Sequence, residues 1–373
     1  MPGGAENATK ALIEHLKPHF DIEVLTTCVK DFHSDWNENF WKEGEYHEMD
    51  VMIRRFKVRK RDTLHFDLIN AKLMRGEPVS PSEEKFFISE CVRSENLNGY
   101  IRDHQKDYQW FLFIPYMFGT TYDGVLAAPE KAILIPCLHD ESYAHMAIYQ
   151  EMFKKAQKAL FLSLTEKKIA EKLFPTEKAK FTFAGLGLDT AITIRQGAFK
   201  KEHGIGQFIL YAGRKDSAKN TPELVTFFDR FQRETNVDLK LVLVGPGEVA
   251  LPANPNIIDL GFVSKEDKYN AMADALCLCN PSHNESFSIV IMESWLCGRP
   301  VLVSADCAVT RDHVLLSNGG LFYSDYHVFA ESLEYYQQHP QEVSQMAQNG
   351  RDYVLHHFNW ETVTQNYLNA LHA

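Results

Sequence analysis

Residues 208–212 read Phe-Ile-Leu-Tyr-Ala, an uninterrupted apolar run that ends at Gly213. A helical pattern follows, in which Thr221 is the expected cap and Pro222 the first helical residue. The apolar residues of this segment recur at helical spacing, at Leu224, Val225, Phe228 and Phe231. A short apolar run followed by an amphipathic helix is typical of a βα unit, with the strand buried in a parallel sheet.

The same unit repeats along the second half of the chain. Strands are predicted at 241–245, 275–279 and 301–303, with a helix from Ile289 to Cys297 that Gly298 ends. Ser264 is the expected cap of a further helix. Residues from about 205 to 355 are therefore predicted to form one doubly wound α/β domain.

The first half predicts a second α/β domain, with strands expected at 22–27, 110–115, 132–136 and 159–164. The chain passes between the domains near residue 190. The predicted organisation is an N-terminal domain at 1–189, a C-terminal domain at 190–356 and a final helix at 357–373.

Composition excludes some classes of protein. The chain has 373 residues, 45% of them apolar, which suffices for two domains of ordinary size. Its net charge of -11, from 50 acidic and 39 basic residues, argues against nucleic acid as a partner. No apolar run is long enough to span a bilayer, and the polar start at Met1 is unlike a secretory signal, so a cytoplasmic location is expected.

Two local patterns allow a simpler and a more specific interpretation. The seven scattered cysteines form neither a disulfide framework nor a CxxC pattern, and Cys277 and Cys279 are interpreted as reduced strand residues rather than metal ligands. The basic run from Arg54 to Arg61 could face anionic lipid or an acidic acceptor, as peripheral contact at the inner face of the membrane would require. Its simpler interpretation is an exposed edge strand with solvated charges.

Charged residues follow the predicted strand 208–212. Arg214 comes directly after Gly213, and Lys219 stands just before the next helix. Cations beside a helix N-terminus, where free amides also favour anions, could hold a diphosphate. Taken alone, this is a weak signal, because a cation in a strand-to-helix loop is usually only solvated.

Two glutamates, Glu285 and Glu293, stand eight positions apart around the start of the helix at 289–297. If both were helical, they would lie about 80° apart around the axis and about 12 Å apart along it, too far for an acid and base on one bond. Glu285 is therefore expected in the loop and Glu293 in the helix, each meeting a different part of an extended ligand. Glu293 follows an apolar run and precedes Trp295, a setting in which a carboxylate needs a partner.

The segment from Glu285 to Glu293, with Phe287 between them and Cys-Gly-Arg-Pro-Val after, resembles the E-x7-E signature of the retaining family four glycosyltransferases. Other pieces stand in the matching order, at Gly213-Arg214, Lys219, 244–247, 260–263 and 280–282. The resemblance implies the GT-B fold, in which two Rossmann-like doubly wound domains face each other across a donor-binding cleft. It also implies that 1–189 is the acceptor-side domain, that 190–356 is the nucleotide-sugar-binding domain, and that the helix at 357–373 packs back on the N-terminal domain.

The resemblance also implies roles at the matching positions. Arg214 and Lys219 would neutralise the leaving diphosphate, Glu293 would bind the ribose hydroxyls, and Glu285 would contact the donor sugar. Further donor contacts are expected at Gly3, Gly4, Phe262, Val263, Phe287 and Ser288. The base is contacted mainly through backbone groups, so the donor could be a UDP-, GDP- or ADP-sugar.

His139 follows a predicted strand of the first domain. In the family, a histidine at this place reaches the sugar and the reaction centre, which makes His139 and Glu285 the expected catalytic residues. The implied reaction transfers a sugar to a saccharide, lipid-linked saccharide or similar hydroxyl acceptor with retention at the anomeric carbon, as in polysaccharide biosynthesis. Fixed cations and amides stabilise the departing phosphate, so no metal or other cofactor is expected.

The sequence departs from the family pattern at two places. Family members open with a β-strand before the glycine-rich loop, whereas Gly3 and Gly4 here follow only Met1-Pro2, so the first domain is expected to lack that strand. Ser288 stands where many relatives have glycine. A catalytically weak or inactive binding or scaffold subunit is therefore the alternative function. A sugar-nucleotide epimerase or a phosphorylase is disfavoured by the Glu285 to Glu293 pattern and by the lack of a cofactor-lysine signature.

Overall fold

The computed structural model describes residues 4–177 and 180–372. The chain divides into two compact units. Unit 1 comprises Met1–Gly187 together with Val363–Ala373, and unit 2 comprises Leu188–Thr362. The predicted functional assignment of the two domains stays a prediction.

Unit 2 is built around one six-stranded sheet. Its strands are β8 Phe208–Ala212, β9 Lys240–Val244, β10 Ile257–Asp259, β11 Leu278–Asn280, β12 Val301–Ser304 and β13 Gly320–Tyr323. They are all parallel and lie in the order β10-β9-β8-β11-β12-β13. The order reverses between β8 and β11, and such a switch point opens a crevice at the carboxyl ends of the strands, where ligands of this kind of sheet bind.

The helices of unit 2 are α8 Ala198–His203, α9 Thr221–Thr235, α10 Lys265–Asp274, α11 Ile289–Leu296, α12 Ala308–Ser317, α13 Tyr326–Gln338 and α14 Pro340–His357. The predicted apolar face of α9 is buried in the core of the unit. The Oγ atom of Ser264 accepts a hydrogen bond from Asp267 N–H at 3.0 Å, so the predicted cap of α10 is confirmed. The predicted cap of α9 was wrong by one residue, because Asn220 holds that position in a left-handed conformation with φ 54°.

In its described residues, unit 1 has seven strands in two sheets. They are β1 Glu23–Thr27, β2 Gly44–Glu48, β3 Val51–Phe56, β4 Phe111–Phe113, β5 Ala132–Leu134, β6 Lys158–Phe161 and β7 Phe181–Phe183. One sheet has the order β1-β3-β2, with β2 antiparallel, and the other has four parallel strands in the order β4-β5-β6-β7. Among the described residues, β1 and β4 each pair with one strand only.

The helices of unit 1 are α1 Gly4–Leu16, α2 Thr63–Met74, α3 Pro81–Glu90, α4 Glu95–His104, α5 Gly119–Ala127, α6 Ala147–Lys155 and α7 Leu164–Leu173. The last helix, α15 Trp360–His372, begins in unit 2 and continues into unit 1. Its buried residues in unit 1 are Val363, Tyr367, Ala370 and Leu371. None of the helices in the described ranges is long and apolar enough to cross a membrane.

The basic run from Arg54 to Arg61 differs from its simpler interpretation. Arg54 lies in β3, which is the central strand of its sheet rather than an edge. Its guanidinium pairs with Glu23 at 2.8 Å and also with Glu45, and Arg59 pairs with Glu90 at 2.8 Å. Carboxylates of the same unit therefore neutralise much of this charge.

Candidate functional site

The loop after β8 carries the predicted phosphate-binding residues. Asp216 organises it, because one carboxylate oxygen accepts the backbone N–H of Lys219 at 2.9 Å and the other binds the Arg214 guanidinium. The hydroxyl of Tyr211 donates to the Arg214 carbonyl at 2.5 Å. The loop thus presents Arg214 and Lys219 just ahead of α9, at the carboxyl edge of the sheet.

Lys219 and Glu285, which are 66 residues apart in sequence, meet in this structure. The Lys219 ammonium donates to a Glu285 carboxylate oxygen at 2.8 Å. Glu285 lies in the loop ahead of α11, as predicted. Two of the predicted site residues therefore form one ion pair beside the carboxyl ends of β8 and β11.

Glu293 lies within α11, as predicted, and is only 8% exposed. Both oxygens of its carboxylate accept hydrogen bonds from the Lys268 ammonium, at 2.8 and 2.7 Å. One of them also accepts a hydrogen bond from the Tyr269 hydroxyl at 3.1 Å. Burial, and then the negative charge of Glu293, raises the pKa of Tyr269, so the phenol stays a donor at neutral pH. The partner that a carboxylate in this setting requires is therefore Lys268.

Ser288 and Phe287 shape the start of α11. Ser288 holds φ 67°, in the left-handed region, and its Oγ accepts a hydrogen bond from the Asn280 side-chain amide at 2.8 Å. Phe287, predicted to contact the donor, is buried, with its ring against Phe358 and His313 at centroid distances of 4.9 and 5.6 Å. Its ring is part of the core and supports the loop, and the donor contact stays a prediction.

The loops after β8 and β9 approach each other closely. Gly245 has φ 129°, and a Cβ atom there would lie 2.0 Å from the Gly213 carbonyl oxygen. Lys215, which is 2% exposed, forms an ion pair with Asp259, with 2.5 Å between Nζ and Oδ1. The glycine and this buried ion pair together fix the loop that carries Arg214.

Phe262 and Val263 lie in the segment between β10 and α10. The Phe262 ring is 63% exposed, and Val263 is half-buried. Gly261 precedes them with φ 65°, and its N–H donates to Asp259 at 2.8 Å. An exposed aromatic ring on an anchored turn can stack on a planar ligand.

The remaining predicted residues lie in unit 1. His139 follows β5, and its Nδ1 is 3.5 Å from a Glu141 carboxylate oxygen. Gly3 lies outside the described residues. Gly4 is the first described residue of α1, so it belongs to a helix rather than to the predicted loop.

A cavity of about 530 Å³ adjoins the segment that follows His139. Asp140 and Glu141 line it together with Glu77, Glu84 and His145. Among the described residues that line this space there is no lysine or arginine. Its walls therefore offer hydrogen-bond acceptors and repel anions.

Sequence reasoning did not identify Lys215, Asp216, Lys268 or Tyr269. A carboxylate in an apolar setting signals that a cation is near, but it does not say which one, because Lys268 is 25 residues from Glu293 in sequence. No group of three or more metal-ligating side chains is arranged to hold an ion within residues 4–177 and 180–372.

The parallel sheet, with helices between its strands and a reversal of strand order between β8 and β11, defines unit 2 as a Rossmann-like domain. Residues 195–353 match the family model described as "Glycosyl transferases group 1". No curated protein matches the chain in sequence.

Solved structures show the same architecture over the whole chain. HepE from Anabaena, in complex with UDP and glucose, matches with a TM-score of 0.70 and 14% identity, over 100% of this chain and 96% of that one. Sucrose-phosphate synthase from Thermosynechococcus elongatus matches with 0.69 and 16%, over 98% and 92%. A trehalose 6-phosphate synthase from Burkholderia multivorans matches with 0.70 and 10%, over 100% and 96%. The chain thus has the GT-B fold, with two Rossmann-like domains.

Proposed function

We propose that the chain is a glycosyltransferase that moves a sugar from a nucleoside-diphosphate sugar to a hydroxyl acceptor, with retention of the anomeric configuration. The observation that carries this proposal is the Lys219–Glu285 ion pair, placed beside Arg214 at the carboxyl edge of the sheet. It stands within the stretch that matches the glycosyl transferases group 1 model. A cation for a phosphate and a carboxylate for a sugar hydroxyl are thereby adjacent.

In this proposal, Arg214 and Lys219 bind the diphosphate and stabilise its charge as it leaves. Their present partners, Asp216 and Glu285, hold both cations in place before a ligand arrives. Such preorganised charge acts in the transition state without a further cost of reorientation. We therefore propose that the reaction needs no metal or other cofactor, because these cations stabilise the leaving diphosphate.

Glu293 is proposed to bind the ribose hydroxyls. Lys268 and Tyr269 hold its carboxylate in one orientation, and its 8% exposure leaves an edge available to a ligand. Phe262 and Val263 would flank the base, and Ser288 would meet the sugar or phosphate at the start of α11. We propose a UDP-sugar as the donor, because the structurally similar HepE was crystallised with UDP.

His139 is proposed to contact the donor sugar at the reaction centre. The cavity that adjoins its segment is the proposed acceptor site, and its carboxylates suit the hydroxyl groups of a saccharide. Glu77, Glu84, Asp140 and Glu141 would repel a phosphate on the acceptor. A neutral saccharide is therefore the favoured acceptor over a phosphorylated one, and a lipid-linked saccharide would have to place its phosphate outside this cavity.

Membrane contact through Arg54 to Arg61 has weaker support. The ion pairs with Glu23, Glu45 and Glu90 reduce the positive charge available to anionic lipid. A cytoplasmic location and a place in polysaccharide biosynthesis stay predictions.

Thermal unfolding with UDP, GDP and ADP, each alone and as its common sugar conjugates, tests the donor site. A nucleotide at about 100 times its Kd stabilises the native state by about 2.7 kcal/mol, and we expect the UDP series to do so. Arg214→Ala and Glu293→Ala should lose this response. Arg230→Ala is the matched control, because Arg230 lies on the outer part of α9 and pairs with Glu234.

Turnover separates the transferase from its alternative. Release of UDP from a UDP-sugar in the presence of saccharides, with NMR of the product's anomeric proton, is expected to show transfer with retention. Neutral saccharides should exceed their phosphorylated forms as acceptors. Nucleotide binding without turnover would support the scaffold subunit, and no response to any nucleotide from the folded chain would reject the proposed donor site.

A further inference from the structure

Glu166 is a completely buried carboxylate near His139. It lies in the first turn of α7, where its own N–H donates to the capping Ser163 at 3.0 Å. One carboxylate oxygen accepts the backbone N–H of Leu138, and the other accepts that of Leu162, both at 2.6 Å. Leu138 follows β5 and Leu162 follows β6, so this side chain joins the ends of two neighbouring strands.

Burying this group is unfavourable for the ionised form. Burial raises the pKa of Glu166 to about 7, even though the Leu138 and Leu162 amides, the charge of His139 and the Ser163 amide lower it. A fold that needed only to cover the strand ends could use an apolar residue here. A carboxylate that accepts two amide N–H groups instead fixes the orientation of two peptide groups at once.

The Leu138 peptide group is one of the two, and its orientation affects the backbone conformation at His139. Cys137 holds φ 52°, in the left-handed region that residues other than glycine rarely occupy. This conformation turns the Leu138 N–H inward to Glu166 and carries the chain on to His139. Without an acceptor for that N–H, Cys137 can relax to an ordinary conformation, and the His139 backbone would rotate with it.

One polar partner is recorded for the imidazole among the described residues, because His139 Nδ1 lies 3.5 Å from Glu141, and the side chain is 29% exposed. The position of the ring also depends on the backbone that carries it.

We propose that Glu166 is a positioning residue for His139, acting through the Leu138 N–H and the strained turn at Cys137. This role rests on the proposed function of His139. Glu166 touches neither donor nor acceptor in this mechanism, because it is completely buried. Its removal should slow the reaction far more than it weakens donor binding, because the proposed contacts to the ribose and the diphosphate are made by Arg214, Lys219 and Glu293 of unit 2.

Glu166→Gln is the principal test, with Glu171→Gln on the same helix as its matched control. The glutamine amide can accept one backbone N–H, but its NH₂ group opposes the other. At pH 8, we expect kcat to fall about tenfold or more while the KM for the donor stays within about twofold. We also expect the His139 signal of the ¹³C-histidine-labelled protein to shift or broaden, assigned by its loss in His139→Ala.

The control should leave kcat, KM and the His139 signal as in the parent. If Glu166→Gln also leaves kcat and the signal unchanged, or if the donor KM rises along with the fall in kcat, the positioning role is rejected. If Glu166→Gln does not fold, Glu166→Asp replaces it. Aspartate keeps the charge but is too short to reach both amides, so the same outcomes are expected. A parent without turnover would reject the proposed function, while the NMR comparison would still decide the effect of Glu166 on His139.

Discussion

His313 makes the stability of unit 2 depend on pH. Burial lowers the pKa of His313 to about 3, against the opposing charge of Asp312. Its Nδ1 shares a hydrogen bond with the Tyr353 hydroxyl at 2.9 Å, while Nε2 has no hydrogen-bond partner among the described residues. As the pH falls below 6.5, the unfolded state binds a proton that the folded state refuses, so stability is lost with falling pH.

This difference in proton binding between the unfolded and folded states should lower the free energy of unfolding by about 2 kcal/mol between pH 6.5 and 4.5. His313→Gln keeps a neutral polar side chain and should flatten that part of the dependence. Urea unfolding across this pH range measures it, with His327→Gln at an exposed position as the control for the loss of a histidine. A parallel pH dependence in the parent and in His313→Gln would contradict the prediction.

Ser288 shows what the sequence could and could not reveal at single residues. In the sequence, Ser288 is only a departure from the glycine of many relatives. The sequence predicted neither the left-handed backbone at φ 67°, which glycine adopts without strain, nor the compensating hydrogen bond from Asn280. Likewise, it placed Lys219 and Glu285 separately, because a pair across 66 residues depends on how the strands are ordered.

At the scale of elements, helices α11 and α14 pack closely because Trp295 of α11 lies against Gly350 of α14. Trp295 is fully buried, and its Nε1–H donates to the Gly319 carbonyl at 2.7 Å. A Cβ atom at Gly350 would lie 2.2 Å from the indole ring. Gly350→Ala should therefore push the helices apart and destabilise unit 2 by about 2 kcal/mol, although alanine favours helix by about 1 kcal/mol.

Gly99→Ala is the matched control in another helix. A Cβ atom at Gly99 meets only the end of the Arg102 side chain, at 3.7 Å, so the helix preference of alanine should prevail. The two variants are expected to shift the thermal unfolding temperature in opposite directions. An increase for Gly350→Ala would show that the helices separate without loss of stability.

The strands of unit 2 were predictable because buried parallel strands form continuous apolar runs, as Phe208–Ala212 does. The antiparallel β2 and its neighbour β3 gave no such run, since Gly44–Glu48 is mostly polar and β3 contains Arg54 and Arg55. The ion pairs of Arg54 with Glu23 and Glu45 make a basic strand possible in the middle of that sheet. Pairings of this kind cannot be predicted from local patterns, because they join separate segments.

At the scale of the molecule, the end of the chain belongs to unit 1, although unit 2 precedes it. From residue 363 onwards, α15 buries four apolar residues in unit 1. The Trp110 indole N–H donates to the Leu371 carbonyl at 3.0 Å, and the Tyr367 hydroxyl donates to the Gly185 carbonyl at 3.4 Å. Unit 1 therefore depends on residues that follow unit 2 in sequence.

Removal of residues 363–373 should unfold unit 1 and spare unit 2. Loss of one large buried side chain such as Tyr367 costs about 3–5 kcal/mol, a large part of the 5–15 kcal/mol that stabilises a typical domain. Unit 2 keeps all six strands of its sheet, so UDP should still raise the temperature of the remaining transition in calorimetry. Gln365→Ala, on the exposed face of α15, should leave both transitions unchanged. If the shortened chain kept the stability of unit 1, the burial of α15 would not be essential to it; if UDP lost its effect, nucleotide binding would need more than unit 2.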